Sequence, residues 1–131
     1  MDIQTLNEAV RLSLAGQITF PEVVRRLAET GTERYLVDLV GKRKLSWGQG
    51  GESHVAEFGY DGPDVPENLD AETVAATIKD IQQGRIKYTE FLDRIMRAGC
   101  SHYEVFISGR RAIYFGRDGS QHIELFPAVK T

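Results

Sequence analysis

Cysteine is almost missing from this chain. Cys100 is the only one in 131 residues, which excludes an intrachain disulfide and any multi-thiolate metal site, and fits a reducing compartment. Long apolar runs are missing too, since nothing approaches the ~18 residues needed to cross a bilayer. The first twenty residues interrupt their apolar positions with Glu8 and Arg11, so no signal-peptide core is predicted. A basic excess is also lacking. Lys and Arg number 16 against 19 Asp and Glu, a net charge of −3, which argues against nucleic acid or a membrane as partner. The short basic runs Lys42-Arg43-Lys44 and Arg110-Arg111 are expected at solvated hairpin turns. With three histidines and one cysteine, no three or four side chains stand at the spacing of a zinc site, and no metal or cofactor is expected. What remains is the composition of an ordinary cytoplasmic globular protein, 41% hydrophobic and 27% charged. Its length suits a single domain over residues 1–131.

The strongest positive signal is a repeat. The stretch from Gly31 to Phe58 returns as Gly99 to Phe126 at a constant offset of 68 (99 − 31), without a gap. Gly31, Tyr35, Val37, Gly41, Arg43, Gly48, Gly51, His54 and Phe58 meet Gly99, Tyr103, Val105, Gly109, Arg111, Gly116, Gly119, His122 and Phe126. The predicted layout is repeat 1 at 2–58, a linker at 59–69 and repeat 2 at 70–126.

Each repeat carries the same local signals. Apolar residues at helical spacing fill 3–15 and 71–83, with Asp2 and Asp70 placed to cap and Gly16 and Gly84 to stop. A second helix follows in each half. Thr19-Phe20-Pro21-Glu22 reads as a capping box, whereas Lys87 takes the place of the capping hydroxyl in the second copy. Gly31 and Gly99 end these helices and should have positive φ. Alternating strands follow at 35–39, 45–47 and 54–58, and at 103–107, 113–115 and 122–126. Gly41-Lys42 and Gly109-Arg110 suit two-residue hairpin turns with glycine leading, and glycine-bearing turns follow the second strands. The linker, with two prolines and two glycines, is expected to be exposed, and the tail after Pro127 to fray. The predicted fold is α+β, an internal duplication of an α-α-β-β-β unit. Its antiparallel sheets carry helices on one side and are related by a pseudo-twofold axis.

The repeated pattern can be written Gly-x-Ile-x-aromatic-x-Glu, hydrophobic-x-x-x-Gly, Tyr-x-Val and Gly-x-x-Gly-x-x-His. Its fullest statement is RIKYTEFLDRIMRAGCSHYEVFISGRRAIYFGRDGSQH. This pattern resembles the YbcV-like bacterial family, whose members are sometimes labelled phage envelope proteins. The resemblance covers nearly the whole chain and is best in the C-terminal half. That family is a domain of unknown function, so the resemblance implies no catalytic residues.

Candidate site residues come from strand alternation. Tyr103, Val105 and Ile107, with Ile113, Phe115 and Ile123, are read as the face that meets the helices. The opposite face then gathers Glu104, Phe106, Ser108, Ala112, Tyr114, His122, Glu124 and Phe126. In the first half that face carries Leu36, Asp38, Val40, Lys44, Ser46, His54, Ala56 and Phe58. Aromatics, a histidine and carboxylates on one surface suit a ligand site, an interface between two copies of the chain, or plain solvated sheet. His54 and His122 stand at equivalent places and could serve as acid, base, metal ligand or pH switch, or simply bond backbone after a turn. The first functional expectation is a non-enzymatic interaction module, forming a homodimer through that aromatic face. The alternative is a small enzyme or ligand sensor with its site around Tyr114, His122 and Glu124.

Overall fold

The computed structural model describes residues 1–127; the tail expected to fray lies outside them. The chain runs α1 (Ile3–Leu14), α2 (Phe20–Glu29), β1 (Thr32–Asp38), β2 (Arg43–Gly48) and β3 (Ser53–Glu57). It continues with α3 (Ala71–Gln82), α4 (Tyr88–Arg97), β4 (Cys100–Phe106), β5 (Arg111–Gly116) and β6 (Gln121–Leu125). Element order is the expected one in both halves, although β1 and β4 start three residues earlier than alternation suggested, directly after the glycine that ends the helix.

The helix ends follow from their residues. Asp2 accepts from the amides of Gln4 and Thr5, and Asp70 from that of Thr73, so each satisfies an amide left free by the first turn. Thr19 and Glu22 make the full reciprocal capping box, while Lys87 offers no side-chain cap to α4. Gly31 and Gly99 take φ of +80° and +97°, the left-handed conformation that lets the chain leave the helix straight into a strand.

The six strands form one antiparallel sheet in the order β3-β2-β1-β4-β5-β6. The two halves therefore join edge to edge through β1 and β4, with Tyr35 opposite Val105, Leu36 opposite Glu104 and Val37 opposite Tyr103. Side chains from all four helices, among them Leu6, Leu27, Val74 and Leu92, share one buried cluster with Tyr35, Val37, Tyr103 and Val105.

Strand pairing keeps Tyr35, Val37, Tyr103 and Val105 on the core side, as expected, and reverses the expected faces of β2, β3, β5 and β6. Residues directly opposite each other on paired strands share a face. Tyr103 lies opposite Tyr114, and Val105 opposite Ala112. Ala112 and Tyr114 in turn lie opposite Glu124 and His122. Tyr114 is thus in the core at 6% exposure, while Ile113, Phe115 and Ile123 point the other way. The same holds in the first half, where Lys44 and Ser46 face Val37 and Tyr35, and Leu45 and Trp47 do not. The turns differ as well. Each is a four-residue loop, 39–42 or 107–110, with positive φ at Lys42 and Arg110 and not at the glycine before them. Nor is the linker merely exposed: Tyr60, Val65 and Leu69 are half-buried against the core, and the Tyr60 hydroxyl donates to the Thr89 carbonyl at 3.2 Å.

Candidate functional site

The core-facing side of the sheet has two rows of side chains that cross all six strands. One reads His54-Ser46-Tyr35-Val105-Ala112-Glu124, and the other Ala56-Lys44-Val37-Tyr103-Tyr114-His122. Under the offset of 68, Lys44 corresponds to Ala112 and Ser46 to Tyr114. A large and a small residue exchange places between the halves, and the space on this face is correspondingly uneven.

That space is a cavity of about 640 Å³, within the range of small-molecule sites. Its floor is Tyr35, Val37, Lys44, Tyr103 and Ala112 from the sheet, with Phe58 beyond β3. Val10, Val23, Ile78 and Phe91 reach into it from the four helices. The floor is buried, whereas Gln17, Phe20, Gln82, Gly84 and Lys87 are exposed, so the cavity opens along the α1–α2 and α3–α4 loops and beside the start of α2. Phe20 and Phe126 meet edge to face there, with ring centres 5.5 Å apart.

Lys44 is the unexpected member. It is 4% exposed, and its Nζ stands 4.2 Å from the centre of the Tyr35 ring. Among the described residues it has no hydrogen-bond or ion-pair partner, and the Tyr35 hydroxyl has none either. No fully enclosed polar side-chain atom among those residues is left unpaired, so both groups face cavity space. Burial, with no carboxylate to offset it, lowers the Lys44 pKa to about 8. Burial also raises the phenols of Tyr35, Tyr88, Tyr103 and Tyr114, which stay protonated as hydrogen-bond donors. The Tyr88 and Tyr103 hydroxyls are bonded to each other. The arrangement can therefore hold an apolar body and offer the buried Lys44 ammonium and protonated phenols to a polar group, with a second cation, Lys87, exposed at the rim.

The residues singled out by sequence converge only in part: the Tyr114 and His122 rings lie 6.4 Å apart with Glu124 beside the histidine, whereas His54 and Phe106 lie elsewhere. Glu124 and Phe126 line the cavity. Tyr114 sits behind it, its ring 5.2 Å from that of Tyr103 and 6.3 Å from that of Phe91. His122 Nε2 and Glu124 Oε2 are 3.0 Å apart. His54 Nε2 lies 3.2 Å from Asn7 Oδ1 at the other edge of the sheet, five strands from His122 or about 24 Å, so no single site holds both histidines. Phe106 lies on the opposite face from Tyr114. Cys100 is fully buried, its thiol raised to about 12 by desolvation, and it has no nucleophilic character. Among the described residues no group of three or more metal-ligating side chains is assembled.

The other face of the sheet carries a central row Val55-Leu45-Leu36-Glu104-Ile113-Ile123. Arg34 stacks over the Trp47 ring at 3.9 Å and bonds Glu104 at 3.0 Å. At the equivalent positions His102 stacks on Phe115, ring centres 4.6 Å apart. Val55 (59%), Ile123 (49%) and Leu125 (62%) are exposed on this face. No helix of the described chain is long and apolar enough to cross a membrane. No protein-family model matches the chain, and no curated protein matches it.

Proposed function

We propose that this chain is a non-enzymatic binding protein, acting in the cytoplasm, that holds a small and largely apolar molecule in the cavity above Tyr35 and Tyr103. One observation carries the reading, a cavity of ligand size with a buried floor, toward which Lys44 is directed without a partner among the described residues. Cavities that are lined by apolar side chains with a few placed polar groups are what ligand sites look like. The test is native mass spectrometry of the purified protein followed by titration with alkyl-chain probes. Saturable one-to-one binding supports the reading, and its absence across a panel of chain lengths contradicts it.

Two architectural readings accompany this. The halves are copies of one unit related by a pseudo-twofold axis between Leu36 and Glu104, with all four helices on the Tyr35 side. Support comes from the shared element order, the matched Asp2 and Asp70 caps, and the pairing of Leu36 with Glu104, which the offset of 68 makes equivalent positions. Kinship with the YbcV-like family rests on the glycine, aromatic and histidine pattern alone.

A second functional reading, self-association as a homodimer, is favoured by the row on the other face, where exposed Val55 and Ile123 flank half-buried Leu45, Leu36 and Ile113 with Glu104 as the one polar member. Exposed apolar residues grouped on one surface mark contacts more often than isolated ones do. In sedimentation at micromolar concentration the expected result is a dimer that Ile123→Lys converts to a folded monomer. A wild-type monomer contradicts it.

A further inference from the structure

We propose that the molecule in the cavity carries an anionic head group, of which a carboxylate is the simplest case, and that this head supplies the counter-charge Lys44 lacks. The inference rests on the cavity being a ligand site. A cation taken out of water is ordinarily paired with an acid or bonded to several acceptors. Lys44 has neither among the described residues. The cavity has two carboxylates, and both are committed elsewhere. Glu22 closes the capping box with Thr19, and Glu124 stands beside His122. Glu124 is also four strands from Lys44, about 19 Å between backbones. Neighbouring groups therefore prepare the site for an acceptor without neutralising it. The Tyr35 hydroxyl is a protonated donor with no partner beside the ammonium, and the Tyr35 ring face stabilises the cation. A carboxylate placed there would accept from both.

The rest of the cavity fixes the other end of the ligand. From Lys44 the floor continues through Val37 and Tyr103 to Ala112 and ends beside Phe20 and Phe126. The path crosses three to four strand spacings and is mainly apolar, its polar groups being the paired Tyr88 and Tyr103 hydroxyls and Glu124 near the far end. An unbranched alkyl chain fits this description, with its head inside and its tail toward the mouth.

The test is calorimetric titration of decanoate, 1-decanol and decanal into wild type and Lys44→Met. At pH 7 decanoate is expected to bind wild type at least tenfold more tightly than 1-decanol. Lys44→Met is expected to erase that preference and keep the affinity for 1-decanol. A pH series on the wild type does not depend on the variant folding. The carboxylate preference should hold up to pH 8 and then fall by up to tenfold per unit as free Lys44 loses its proton. Glu22, Lys87, Glu124, Tyr35, Tyr88 and Tyr103 also line the cavity, and a trend that survives in Lys44→Met would belong to one of them and overturn the assignment. Equal affinity for decanoate and 1-decanol with no pH trend overturns the anionic head and leaves the cavity reading standing. No binding of any probe overturns both. Borohydride trapping of decanal on Lys44, with no decanoate preference, would replace the anion by a carbonyl.

Discussion

A lysine ammonium leaves water at a cost, and Lys44 carries that cost in the folded state. Its pKa falls from 10.5 to about 8 on burial. Below pH 8 the group is charged in both folded and unfolded chains, and the full penalty is present. Between pH 8 and 10.5 the folded protein releases a proton that the unfolded chain keeps, so stability rises with pH by up to roughly 3 kcal/mol. Cys100 and the buried phenols act in the opposite sense. Their raised values remove stability above pH 9 and pH 10, as the unfolded chain ionises. The difference between wild type and Lys44→Met isolates the lysine. The variant is expected to be more stable at pH 7 and to lose this advantage by pH 10, as read from urea midpoints. A variant that is less stable at pH 7 contradicts the account. The repeated glycines give a second test at this scale. A Cβ on Gly31 would meet nothing within 4 Å, whereas one on Gly99 would clash with the Asn68 carbonyl oxygen. Gly31→Ala should cost about 1 kcal/mol from its φ alone. Gly99→Ala should cost distinctly more, because backbone must move.

Helix ends and element order were legible because they depend on local residues. Asp2, Thr19, Asp70 and the four helix-ending glycines each act within a few positions of themselves. The cap asymmetry gives the expected outcome here. Thr19→Ala should lose about 1 kcal/mol. Lys87→Thr, which places a hydroxyl three residues before Glu90, should gain a comparable amount by completing the second capping box. Thermal denaturation of the two variants checks both signs. The strand faces were misread at this same scale. In β2 and β5 the more apolar residues, Leu45, Trp47, Ile113 and Phe115, lie away from the core, and the core side holds Lys44, Ser46, Ala112 and Tyr114. Hydrophobic alternation fails where both faces of a sheet are apolar. Loop length held the right signal. A hairpin loop of either two or four residues places Lys44 on the face of Val37, because the side-chain period is two.

At the scale of the molecule, the junction of β1 with β4 makes one six-stranded sheet from two three-stranded halves. Neither that junction nor the cavity was legible, since both arise from contacts between residues about seventy positions apart. Lys44 was hidden for a further reason: in Lys42-Arg43-Lys44 it reads as one more solvated charge, and only strand register separates it from its neighbours. The same sheet presents two surfaces with different prospects, the cavity side and the row from Val55 to Ile123. The most direct measurement is an amide and methyl chemical-shift titration of the protein with decanoate. The account expects saturable shifts at Lys44, Tyr35, Val37, Phe58 and Ala112, with Val55, Ile113 and Ile123 unmoved. Shifts confined to Val55, Ile113 and Ile123, or no shifts at all, would contradict it.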